Sequence, residues 1–252
     1  MIYTLARAEL LRWFRTPSSW FIFAALFFLL TFLFLLLLEG FTDHVQPANL
    51  NSSKPIGLSD AVVLPYLWWS GIVLLSILPM LSMRLVSEER QQKTWALLAS
   101  APIKPMQIIM GKFLGLTAQV SLLVALIALL PMSLLLGAPI DLLRLASSLL
   151  GLWLLLISFG AAGLYCSTLT HEPIIAALAA YGLLLFMTLF YFASNTSGTA
   201  SGTLNYLAHF GHFPDWLEGR FNSAHLTYFV LFTVLFLWLA SRRIKYEQWR
   251  SH

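Results

Sequence analysis

Few side chains in this sequence could do chemistry, and they fall in three places. His209-x-x-His212, followed by Asp215, Glu218 and His225, offers metal-ligand types. Zinc sites need a recognisable ligand spacing, which this run lacks, so it reads as an interfacial or partner-contacting loop. His171-Glu172 has Ile175 where a zinc-protease helix would carry its second histidine. The third place is a charged segment holding Arg84, Glu88, Glu89, Arg90, Lys93, Lys104 and Lys112 between two apolar blocks. Its Gly111-Lys112 pair has Met106 in place of the first glycine of a P-loop and Phe113 in place of the hydroxyl residue. A nucleotide phosphate therefore finds no cradle here. A Gly-x-Ser-x-Gly elbow is missing as well. The chain carries no catalytic constellation and reads as a non-enzyme that binds no cofactor of its own.

The elements that position these residues are set by composition. Of 252 residues, 59% are hydrophobic and 10% charged, against about 25% charged in soluble domains. This is the composition of a membrane protein. The net charge of +4 sits in short segments beside apolar blocks, which is a topology pattern and not a nucleic-acid face. The one cysteine, Cys166, excludes an internal disulfide and a cysteine-based zinc site.

Residues 2–15 pattern as an amphipathic helix, with Ile2, Leu5, Ala6, Leu10, Trp13 and Phe14 on one side and Arg7 and Arg15 on the other. Such a helix lies in the bilayer interface, and Glu9 on its edge calls for a basic partner. The apolar run after it is too long for a signal-peptide core and lacks a cleavage site, so it reads as an uncleaved span. Spans are predicted at about 20–38, 62–83, 113–136, 145–164, 174–192 and 226–240. The last is short for a bilayer. Pro79 should kink the second span. Residues 84–112 form a loop, in which Ser87 is a candidate N-cap of a helix reaching Ser100 and stopped by Pro102. Glu88, Gln91, Trp95 and Leu98 would share one face of it. Residues 193–225 form a longer loop whose aromatic second half dips into the opposite interface.

None of the six predicted spans contains Asp, Glu, Lys, Arg or His. Ion-coupled transporters and intramembrane enzymes place ionisable groups at membrane depth, so both classes are disfavoured. Twelve Lys and Arg residues lie on the side of the two termini and three, Lys54, Arg144 and Arg220, on the other. That imbalance puts both termini, the 84–112 loop and the His171 loop in the cytoplasm. Gly111-x-x-x-Gly115 and Gly160-Ala161-Ala162-Gly163 allow close helix approach, within one bundle or with a second copy.

Pro79-Met80-Leu81-Ser82-Met83-Arg84, Glu88-Glu89-Arg90, Thr94, Leu97-Leu98, Ala101-Pro102 and Gln107 through Lys112 resemble the signature of type-2 ABC exporter permeases. More narrowly, they resemble the gliding-motility subfamily. The chain differs from that pattern at Lys93 and Ala96, where the family carries Gly and Glu. The resemblance implies an all-α, polytopic fold filling residues 1–252 as one transmembrane domain. It implies an N-terminal elbow helix carrying Glu9, Arg12 and Trp13, six spans, and a cytosolic coupling helix. It further implies a bacterial inner-membrane permease driven by two copies of a separate ABC ATPase, which would hold ATP and Mg. A second permease chain, identical or homologous, would complete the pathway. A periplasmic or membrane-anchored auxiliary subunit is a further partner.

On this reading Glu88, Glu89 and Arg90 bring charge to the ATPase contact. Thr94, Trp95, Leu97, Leu98 and Pro102 supply the rest of that surface, with His171, Glu172 and Pro173 as a second contact, and Pro79 is the hinge. The alternative is a non-transporting structural or signalling subunit of a larger envelope complex.

Overall fold

The computed structural model describes residues 2–50, 56–95, 104–137, 140–196 and 208–250, and within them the chain is all helical. Helix α1 is Ile2–Arg15, α2 is Pro17–Gly40 and α3 is Leu64–Ser82. A short helix α4, Ser87–Gln91, precedes α5, Pro105–Ser133. Then come α6, Leu142–Leu169, α7, Pro173–Thr196, α8, Phe213–Leu217, and α9, Ser223–Arg250. Among the described residues, six helices are long and apolar enough to cross a membrane.

Helices α2, α6, α7 and α9 overrun the predicted spans at both ends. With 28 residues, α9 is not short, reaching roughly 42 Å at 1.5 Å per residue. Helix α5 begins at Pro105, so Pro105 to Lys112 are not loop. Pro at the first helical position needs no amide partner, which suits the starts of α2, α5 and α7. Asp141 caps α6 by accepting from the Leu143 and Arg144 amides at 3.0 and 3.3 Å. Pro79 lies buried inside α3 and leaves the preceding turn one amide short.

The bundle is built around α6. Its most apolar stretch is 72% buried, against 17% for those of α7 and α9. Lipid tails are as apolar as leucine, so helices in a bilayer associate through close packing at small residues. Helix α6 supplies them. A Cβ on Gly160 would come within 2.6 Å of Leu116, and one on Gly163 would overlap the Ser82 side chain. Helices α5 and α3 therefore seat directly on its backbone. The glycines of α5 serve α1 in the same way. A Cβ on Gly111 would lie 2.7 Å from Leu5 Cβ, and one on Gly115 would lie 2.8 Å from Glu9 Cβ. Both glycine motifs are thus filled within this chain.

The end opposite the termini is closed by His209–His212 and α8. Predicted to dip into the interface, this segment instead enters the bundle, where His209, Phe210, Phe213 and Trp216 are fully buried. Trp216 occupies the notch at Gly151, and Phe213 and Phe210 cover Gly71. The Ser147 hydroxyl donates to the Trp216 carbonyl at 3.1 Å, and Ser148 to that of Leu217 at 3.2 Å. Arg144 reaches the Leu217 carbonyl through Nε and Asp60 at 2.7 Å through its guanidinium.

Candidate functional site

At the end of the bundle that carries both termini, α4 joins α3 to the 92–95 turn. Ser87 was the candidate cap, but it is the first helical residue and its hydroxyl donates back to the Met83 carbonyl. The cap comes from α6. Ser167 Oγ accepts from the Val86 and Ser87 amides at 3.1 and 3.0 Å and donates to the Met83 carbonyl at 2.8 Å. One hydroxyl thereby satisfies two orphan amides of the first turn. The glutamates Glu88 and Glu89 follow at the positive end of the helix dipole.

The predicted helix to Ser100 does not form as one rod. Helix α4 stops at Gln91, and Lys93 takes a φ of 59°. That is the left-handed conformation typical of glycine just beyond a helix. Thr94 Oγ1 donates to the Glu89 carbonyl at 3.2 Å and closes the turn. Because the helix breaks there, Glu88, Gln91 and Trp95 do not form one continuous stripe. Trp95 folds back instead, 5.4 Å from the Arg90 guanidinium.

The charges of this segment organise three other helices. Lys112, on α5, has a side chain that is 0% exposed, and its Nζ lies 2.6 Å from Glu9 Oε1 of α1 and 2.6 Å from Glu89 Oε1 of α4. A buried ammonium is tolerated only when paired and hydrogen-bonded, and two carboxylates do this. Arg12 of α1 pairs with Glu88 at 3.3 Å. Arg90 is buried and meets Glu247 of α9 at 2.5 Å, and Glu247 also holds Arg243 at 3.5 Å. Helices α1, α4, α5 and α9 are therefore joined by ion pairs at one end of the bundle. Glu89 and Arg90 were read as charges offered to a partner. Their tips point into this chain instead, Glu89 toward the buried Lys112 and Arg90 toward Glu247 of α9.

What this end does expose is Gln91, Gln92, Lys93 and Thr94, together with His171 and Glu172. Helix α4 packs against α6 and α7, whose junction is the 170–172 loop, so the two proposed contact segments come together. Thr170 leaves α6 in an extended conformation and its hydroxyl accepts from the Glu172 amide at 3.1 Å, one residue before Pro173 starts α7. Leu97, Leu98 and Pro102 lie outside the described residues. Trp13 of α1 packs edge-on against Phe23 of α2 at 4.4 Å.

The histidines at the opposite end do not converge on a common point. His209 Nε2 is 2.7 Å from Ser158 Oγ, halfway along α6. An imidazole thus stands at the depth of the spans, which reading the spans alone excluded. His212 and His225 meet through their Nδ1 atoms at 2.6 Å, and His225 Nε2 lies 2.8 Å from Asp215. Glu218 pairs with Arg220. Among the described residues no group of three or more potential ligands could hold a metal ion.

Three residues that tie this end together gave little signal in the sequence. Lys112 looked like one more flanking positive charge. Ser167 is a serine in an apolar helix. Glu247 lies in a basic tail. The Glu9 position, on the edge of an apolar face and short of a basic partner, was the one usable clue. A family model described as ABC-2 family transporter protein matches residues 3–232. No curated protein matches the chain.

Proposed function

Because the chain belongs to the ABC-2 transporter family, we propose that it is a permease subunit whose transport cycle is driven by a separate ABC ATPase, within the gliding-motility-like branch. The observation that carries this reading is the Glu9–Lys112–Glu89 junction. A force on the segment around α4 reaches span-forming α5 and the interfacial α1 through 2.6 Å ion pairs. The surface available to an ATPase is the exposed Gln91–Thr94 turn beside His171 and Glu172, with Trp95 behind it. Two ATPases, holding ATP and Mg, would close beneath two permease chains and move them against each other. The lipid-facing sides of α2, α7 and α9 are sparsely covered within this chain and leave room for the second permease. The twelve-to-three split of basic residues favours an orientation with both termini in the cytoplasm of a bacterial inner membrane. An auxiliary subunit would meet the opposite end.

The test is co-purification with a candidate ABC ATPase, followed by ATP hydrolysis in proteoliposomes. Trp95→Ala and Glu172→Lys should each weaken assembly and lower hydrolysis several-fold. Unchanged assembly and turnover in both variants would refute the coupling role. Normal assembly and hydrolysis with no substrate movement would favour a structural or signalling subunit.

A further inference from the structure

A cavity of about 80 Å³ opens between α1, the start of α2, the end of α3 and α5. Its walls include Arg12, Ser19, Met80, Arg84, Glu88 and Gln119. The rim is exposed: Met80 is 47% exposed and the Arg12 side chain 39%. The interior is not, since Gln119 is 4% and Ser19 5% exposed. Gln119 lies seven residues beyond Lys112 along α5, roughly 10 Å deeper into the bundle. The cavity thus runs from a charged rim to a polar floor among apolar helices.

Its polar groups are unevenly satisfied. Glu9, on the wall, is paired with Lys112, and Arg12 is paired with Glu88. Arg84 makes no ion pair among the described residues. The Gln119 amide makes no hydrogen bond to the protein there, nor does the Ser19 hydroxyl. Trp13 Nε1, also on the wall, is buried with no hydrogen-bond partner, and native proteins satisfy such groups with water or a ligand. One uncompensated guanidinium at the rim above unpaired donors on the floor is the pattern that takes a phosphate ester. The volume sets the size of the occupant. About 80 Å³ holds several waters or one small polar group, at roughly 10–15 Å³ per water, but not a whole amphiphile.

We propose that this cavity binds the phosphodiester headgroup of a membrane phospholipid, with Arg84 on the phosphate, Ser19 and Gln119 donating to ester oxygens, and the acyl chains outside along Met80. The bound lipid would pin α1 to the span helices from the bilayer side, as Lys112 does from within. The inference does not depend on the transport reading.

The test uses the full chain in mild detergent, stripped of lipid and then offered phosphatidylglycerol, the diacylglycerol with the same chains, or glycerol 3-phosphate at equal concentration. Bound mass is read by native mass spectrometry. One phosphatidylglycerol should be retained per chain, with diacylglycerol and glycerol 3-phosphate each at least tenfold weaker. Arg84→Gln and Gln119→Leu should each lower retention about tenfold. Arg7→Gln, which removes an exposed charge outside the cavity, should not. Gln119→Leu suits an apolar helix and keeps the test decisive where Arg84→Gln does not fold. Equal retention of diacylglycerol, equal binding of glycerol 3-phosphate, equal loss in Arg7→Gln, or no retained lipid would each overturn the assignment. So would unchanged retention in Arg84→Gln and Gln119→Leu.

Discussion

Replacing Lys112 by Met tests whether the junction of α1, α4 and α5 is held by charge. Methionine keeps the length and the apolar stem of lysine and removes only the ammonium. Two carboxylates, Glu9 and Glu89, with side chains 11% and 17% exposed, then face each other without their shared partner. Removing one member of a buried pair costs about 3–5 kcal/mol, mostly through the charge left behind. At roughly 2–4 °C per kcal/mol for a chain of this size, Lys112→Met should melt about 6–20 °C below the parent. The assay is thermal unfolding of the detergent-solubilised chain followed by size-exclusion chromatography. The triple variant Glu9→Gln/Lys112→Met/Glu89→Gln carries no charge at the junction and should recover at least half of the loss, because the unpaired charge is the main penalty. A Lys112→Met variant melting within about 2 °C of the parent, or a triple variant no better than the single, would refute the argument.

Lys93→Gly relieves a left-handed backbone at a position where the resembled family carries glycine, and should stabilise the chain by about 1 kcal/mol in the same melting assay. Ser167→Ala removes the acceptor of the Val86 and Ser87 amides at the start of α4 and should cost about 1–2 kcal/mol, with faster hydrogen exchange at both by mass spectrometry. Gly115→Leu puts side-chain atoms where Glu9 Cβ already stands at 2.8 Å from the glycine's own would-be Cβ, so α1 should lift and exchange across residues 2–15 should rise. Arg90→Glu leaves Glu247 facing a like charge and should destabilise, while the swap Arg90→Glu/Glu247→Arg should restore most of the melting temperature.

The six spans were legible because each is a long apolar run, and apolar length is the quantity a bilayer selects. The amphipathic α1 was legible from its period and its arginines. The junction was not, because its members are far apart in sequence. Glu9 and Lys112 are separated by 103 residues, and Arg90 and Glu247 by 157. A lysine at the edge of an apolar block carries the same local pattern whether it sets topology or fills a buried socket. The helix expected to run to Ser100 ends early because Lys93 adopts a backbone conformation that lysine rarely takes, so residue type gave no warning. The aromatic run before α9 resembled an interfacial belt, since Trp and Phe favour both a membrane surface and a packed interior. Only the notches at Gly71 and Gly151, on helices distant in sequence, decide between the two.

Those notches also impose an order on biogenesis. The wedge 208–217 is made after α3 and α6, yet it fits only between them, with Trp216 against Gly151 and Phe213 against Gly71. The grooves at Gly71 and Gly151 therefore stand empty until the wedge has been made and folds back between α3 and α6. A nascent chain arrested ahead of Trp216 would present bare glycine surface to insertases and proteases, and seating the indole is the step that hides it.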